Sequence, residues 1–169
     1  AKKAGTEFSV ANSAYAGMIL GYSMEGESAT HHSKTLTTSY AVTDALHTVR
    51  FIAPPSEVVE VEVQIYANAS TSNKSIYFGL SDNATYNSLG NSYEVVVRYP
   101  DETDDGIITC KWAVSGLTAG DTYNYWLGAK TSGTIAYVNW GGSAANRYCD
   151  FIMKVTALPK AVANFAVYG

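Results

Sequence analysis

The sequence predicts an all-β fold, an antiparallel β-sandwich of about eight strands. Two observations predict it. From His47 onward apolar and polar residues alternate with period two, and no segment of useful length carries a helical period. Clusters of turn-forming residues interrupt the alternation at short intervals: Pro54-Pro55, Ser81-Asp82-Asn83, Asn87 to Asn91, Asp104-Asp105-Gly106, Ser132-Gly133 and Gly141-Gly142-Ser143.

Taken in chain order, residues 1–45 show no sustained period. Phe8, Val10, Tyr15, Met18, Ile19 and Leu20 sit among Gly, Ser, Thr and His, so this stretch is expected to form an extended N-terminal arm or an edge strand. Residues 46–158 carry the sandwich. Glu57 to Ala67 places Val59, Val61, Val63 and Ile65 on one face and Glu60, Glu62 and Gln64 on the other, the mark of a half-buried strand. Tyr93, Val95, Val97 and Tyr99 oppose Glu94 and Arg98 in the same way, and Cys149, Phe151, Met153 and Val155 oppose Asp150 and Lys154. Shorter runs at 48–53, 75–80, 107–114, 122–129 and 134–140 complete the set. Residues 159–169 form an apolar C-terminal tail after Pro159, with Phe165 and Tyr168 its largest side chains. Such a tail docks either on its own sandwich or on a neighbour.

With 169 residues the chain fits one domain and needs no metal or disulfide to hold it. Its 15% charged residues fall short of the usual quarter, and the surface is left to Ser, Thr, Asn, Gly and 13 Tyr, a composition suited to contact. The net charge of −4 comes with no basic run longer than Lys2-Lys3, so nucleic acid is not expected as a partner. No apolar stretch reaches the roughly 20 residues that cross a bilayer, so membrane insertion is not expected either. Ala1-Lys2-Lys3 reads as the start of a cytoplasmic product that has lost its initiator Met, although a trimmed chain would look the same.

Catalytic chemistry finds little footing. The histidines His31, His32 and His47 stand in no nucleophile or metal motif, and adjacent residues such as His31 and His32 would point to opposite faces of a strand. Asp101 to Gly106 is the densest acidic run but lacks the spacing of a calcium loop; it reads as a solvated hairpin turn. Glu60 and Glu62 are the one pair of carboxylates close together on a face, and they read as the solvent side of a strand. Cys110 and Cys149 both fall on inward faces and are expected as free thiols, with a cross-sheet disulfide as the alternative. Three Asn-x-Ser/Thr sequons, at Asn68, Asn73 and Asn83, decide nothing in a chain this rich in those residues. No catalytic residue, cofactor or metal ligand is therefore assigned. Trp112 is expected in the core, whereas Trp126 and Trp140 fall opposite their strands' apolar runs and are expected at the surface.

Two resemblances add to this reading. Leu117 precedes Tyr123 across Thr118-Ala119-Gly120-Asp121-Thr122, and Tyr125, Leu127 and Ala129 then alternate inward. This resembles the tyrosine corner of fibronectin type III and related sandwiches, although Ala119 stands where Pro is common; it implies a crossover between sheets. The fold type is thus expected to be jelly-roll or fibronectin-III-like. The strings from Gly79 to Gly90, Tyr99 to Gly106, Gly116 to Tyr123 and Tyr137 to Gly142 are similar to those of β-rich structural proteins of tailed bacteriophages. These are tail-fibre, knob or capsid-decoration components, notably of marine phages, and the likeness spans 49–158. It implies a virion surface protein, assembled in the host cytoplasm and acting in assembly, stabilisation or host attachment. A homo-oligomer, by analogy a trimer, is implied, with other virion proteins as partners. Phe8, Tyr15, Phe165 and Tyr168 are then expected at subunit or capsid contacts. The alternative is a carbohydrate-binding or adhesion module, in which Trp126, Tyr137 and Trp140 stack on a host-surface glycan.

Overall fold

A computed structural model describes residues 15–26, 30–69, 74–99, 105–133, 136–142 and 147–160. Of these residues 60% are strand, and among them the protein is all-β with no α-helix. Eleven strands follow in order: β1 (Ile19–Glu25), β2 (His32–Thr35), β3 (Ala41–Val42), β4 (Thr48–Ile52), β5 (Val58–Ala69), β6 (Lys74–Ser81), β7 (Glu94–Tyr99), β8 (Asp105–Ser115), β9 (Thr122–Thr131), β10 (Ala136–Trp140) and β11 (Phe151–Ala157). All eight expected strands are present. The remaining three, β1 to β3, lie in the stretch expected as an arm or edge strand, and each sits at the margin of a sheet.

Both sheets are antiparallel and both are forked. In the first, the long strand β5 pairs along its whole length with β8. On its other side it pairs with β11 at residues 59–64 and with β10 at residues 66–69; β1 then flanks β11 and β2 flanks β10. In the second sheet β6 pairs with β7 and β9, and the far side of β9 is shared by β4 and β3. A chain that must fill a twelve-residue strand's flank with five- and seven-residue partners necessarily leaves a seam between them.

The inward side chains of both sheets merge in one core. Val59, Val61, Val63, Ile65 and Ala67 of β5 meet Phe51, Ile76, Phe78, Leu80 and Leu127 of the second sheet, all essentially excluded from solvent. Each such Val, Ile, Leu or Phe side chain contributes about 1.5–3 kcal/mol on burial. Trp112 is buried as expected. Cys110 is buried and Cys149 half-buried, and both are free thiols; burial pushes the Cys110 thiol up to about 12.

The turn from Gly116 to Asp121 carries the chain from β8 in the first sheet to β9 in the second, which is the crossover that the Leu117 to Tyr123 spacing implies. One expectation is corrected. The acidic run from Asp101 does not close a hairpin, because β7 before it pairs with β6 in the second sheet and β8 after it pairs with β5 in the first. The connection therefore crosses between sheets. Asp101 to Asp104 themselves, Phe8 at the N-terminus, and the tail with Phe165 and Tyr168 lie outside the described residues.

Candidate functional site

The two margins of the sheets that face each other across the molecule differ in how they close. On one, β1 lies directly over β4: a Cβ at Gly21 would stand 2.5 Å from the Arg50 carbonyl oxygen, so only glycine permits this approach. A bulge in β1 between Ile19 and Gly21 lets Leu20 and Gly21 both turn inward there. Beside this closed margin, β2 has four exposed residues and β3 only two residues in all. Strands that short cannot cover the gap, and a cleft of about 310 Å³ remains.

Register decides what lines the cleft. Across the β2–β10 ladder His32 pairs with Trp140 and Lys34 with Val138, so the side chains of His32 and Lys34 share the inward face with two buried residues. The opposite wall is the turn between β3 and β4, which contributes Thr43, Asp44 and Ala45, and Ala84 closes one end. A second, smaller hollow of about 130 Å³, lined by Leu36 and Ala129, shares Lys34, Val42 and Thr43 with the cleft. Asp44 Oδ1 accepts a hydrogen bond from the Leu46 amide at 2.8 Å and fixes the turn. Among the described residues neither Lys34 nor Asp44 has an ion-pair partner.

Behind the cleft, His47 is wholly buried at the seam between β10 and β11. Its ring stacks on Phe151 at 3.8 Å and meets Trp140 edge-on at 4.3 Å, while His32 stacks on Trp140 at 5.5 Å. The Thr43 hydroxyl donates to the Leu127 carbonyl at 3.1 Å, so its 2.8 Å contact with His47 Nδ1 requires that Nδ1 carry the proton and donate. Nε2 is then a bare acceptor, and it has no partner among the described residues. Burial, with His32 nearby, lowers the imidazole pKa to about 3. His47 is thus a neutral ring that braces Trp140.

Two further aromatic groups lie on the outer faces. On the first sheet Tyr66 packs on Tyr148 at 4.7 Å and His31 meets Tyr148 at 5.7 Å, beside a hydrogen bond from Asn139 Nδ2 to Asn68 Oδ1. On the second, Tyr86 lies flat across the paired glycines Gly79 and Gly128, stacked by Tyr40 at 4.6 Å; Lys130 Nζ sits 4.4 Å from the Tyr40 ring centre. Glu60 and Glu62 face solvent on the first sheet, where Lys111 and Lys154 neutralise them. The Lys111 ammonium hydrogen-bonded to Glu62 holds that carboxyl below its usual range, with Lys154 adding to the effect.

The expected sugar platform is not assembled. Trp126 lies half-buried on the outer face of the second sheet and Tyr137 on the outer face of the first, at positions that alternate with the core residues of β9 and β10. Trp140, expected at the surface, is buried: it points inward with Ala136 and Val138, 6% exposed, and His32 covers its face. Trp140 keeps the phase of Ala136 and Val138, and Asn139 on the opposite face is itself buried against Asn68. Tyr15 is 75% exposed, before β1. What sequence reasoning missed is that His32 and Lys34 face Asp44 across one cleft, which no local spacing announces because the residues come from two sheet margins. Among the described residues no three His, Cys, Asp or Glu side chains are grouped to hold a metal. No protein-family model matches the chain, and no curated protein shows significant similarity to it.

Proposed function

We propose that the chain is a structural protein of a bacteriophage virion, a capsid-decoration or knob component that works through subunit, particle and attachment contacts rather than through catalysis. Its sandwich is read as fibronectin-III-like at the β8–β9 crossover, on the strength of the Tyr123 hydrogen bond to the Thr118 amide. The phage assignment rests on the similarity of the strings from Gly79 to Gly90 and from Tyr137 to Gly142. It accommodates assembly in a host cytoplasm and action outside it.

The observation that carries the assembly reading is a row of large apolar side chains on the outer face of edge strand β1. Ile19, Tyr22 and Met24 are 47%, 42% and 42% exposed. A monomer gains nothing from such a row on a sheet margin, where it invites strand pairing and aggregation; covered by a neighbour it becomes interface.

Sedimentation velocity on the purified protein tests this. A homo-oligomer, a trimer by analogy, is expected, and Tyr22→Lys with Met24→Lys should shift it to monomer while leaving the far-ultraviolet circular dichroism unchanged. A wild-type protein that stays monomeric at about 100 µM, well above ordinary subunit affinities, would defeat the assembly role. Genes for capsid and tail proteins are expected beside its own, and neighbours of another kind would defeat the phage assignment.

A further inference from the structure

We infer that the cleft between β2 and the turn from Thr43 to Asp44 binds a neutral polyhydroxylated ring, a single sugar residue, with Lys34 and Asp44 as its polar clamps. The inference goes beyond the assembly reading and requires neither an oligomer nor a virion.

The two walls carry opposite charges that do not reach each other. Lys34 has three donors and no acceptor; the second oxygen of the Asp44 carboxylate is acceptor only, its first being held by the Leu46 amide. An anion placed in the cleft would meet Asp44, and a cation would meet Lys34. A sugar hydroxyl satisfies both, since each can accept from an ammonium and donate to a carboxylate in the same site. The Thr43 hydroxyl, already donating to Leu127 and accepting from His47, keeps one lone pair. At about 310 Å³ the cleft is at the small end of ligand pockets, room for one ring rather than a chain.

The site is also held in place. His32 is exposed and lies flat on Trp140, at an interplanar angle of 16°, so its outer face offers a planar apolar surface beside the clamps. Trp140 is in turn braced by His47, whose other face stacks on Phe151. Preorganised side chains of this kind reduce the ordering cost of binding. Inward charges on an edge strand also discourage strand pairing, which accounts for Lys34 by itself. That role asks for no carboxylate facing it across an open cleft.

The test is a ¹H–¹⁵N correlation titration of the full chain with the methyl glycosides of glucose, galactose, mannose and N-acetylglucosamine, with glycine as a zwitterion and inorganic phosphate as an anion. At least one sugar is expected to give saturable shifts at Lys34, Thr43, Asp44, Ala84 and the Trp140 indole, with a dissociation constant on the order of 1 mM. Lys34→Met keeps the aliphatic stem, and Asp44→Asn keeps an oxygen for the Leu46 amide, so both variants should retain the dispersed spectrum. Each should weaken binding by about tenfold, the loss expected for a charge-assisted hydrogen bond. Three outcomes overturn the inference: no saturable shift with any of the sugars, shifts that persist unchanged in both variants, or binding of glycine or phosphate alone.

Discussion

The Tyr123 hydroxyl accepts a hydrogen bond from the Thr118 backbone amide at 2.9 Å, five residues back along the chain. That contact ties the start of β9 to the turn that leaves β8, and so couples the two sheets at the point where the chain passes between them. The same ring packs against Phe51 of β4 at 5.8 Å, which places its apolar body in the core and its polar tip at the turn. Tyr123→Phe removes the acceptor and keeps the ring. A loss of about 1 kcal/mol is expected, the net value of one hydrogen bond, read as a lower urea midpoint at unchanged slope. An unchanged midpoint would mean that the hydroxyl is solvated and the corner is held by packing alone.

Glu57 holds a left-handed backbone conformation, φ 62°, in the turn between β4 and β5, where its amide donates to the Pro54 carbonyl at 2.9 Å. A residue with a Cβ pays about 1–2 kcal/mol for that conformation. Glycine avoids this cost but loses more chain entropy on folding. Glu57→Gly is therefore expected to be more stable than Glu57→Ala, which keeps the strain, by about 0.5 kcal/mol. The exposed ion pair from Glu57 to Lys160 is lost in both variants and cancels in the comparison. Equal midpoints for the two would place the turn in another conformation.

The outer face of the second sheet depends on two glycines. A Cβ at Gly128 would overlap the Tyr86 ring, and one at Gly79 would stand 2.5 Å from its hydroxyl oxygen. Because Gly79 and Gly128 are cross-strand partners, they form one flat patch that the ring covers, in the manner of an aromatic side chain compensating for strand glycines. Gly128→Ala should expel Tyr86 together with the loop from Asp82 to Gly90, at a cost of about 1–3 kcal/mol. Weaker near-ultraviolet circular dichroism and new proteolytic cleavage within 82–90 are the readouts. A variant as stable and as protease-resistant as the wild type would remove Tyr86 from this role.

Long alternating strands were legible because a strand buried on one face repeats its pattern for as long as it is paired. Val59 to Ala67 follows that rule without a break. β1 escaped because its bulge puts Leu20 and Gly21 on the same side and breaks the period after one step; β2 and β3 escaped because four and two residues are too few to show any period. The cleft was illegible for a different reason. Its residues come from β2, the turn before β4, β10 and the loop at Ala84, and only the forked pairing of both sheets brings them together. His47 stood at the boundary of the alternating region, where nothing in its neighbours signals a ring sealed between Trp140 and Phe151.

That ring should make stability depend on pH in a window where few other groups titrate. In the unfolded chain His47 takes up a proton near pH 6.5, whereas in the folded protein burial, with His32 nearby, lowers its pKa to about 3. Above about pH 6.5 neither state is protonated and the stability is whole. As the pH falls below that value the unfolded state binds a proton that the native state does not, and stability declines by about 1.4 kcal/mol per unit until the folded pKa is reached. Between about pH 6.5 and pH 5 the loss amounts to about 2 kcal/mol, before the carboxylates begin to protonate. His47→Asn retains a donor for the Thr43 hydroxyl and cannot titrate. It should be less stable than the wild type at neutral pH, by about 1–3 kcal/mol for the lost stacking and volume. The gap should then close by about 2 kcal/mol at pH 5, as measured by urea melts of both proteins at matched ionic strength. Parallel declines in the two proteins would show that His47 is protonated in the folded state, and the neutral ring between Trp140 and Phe151 would have to be abandoned.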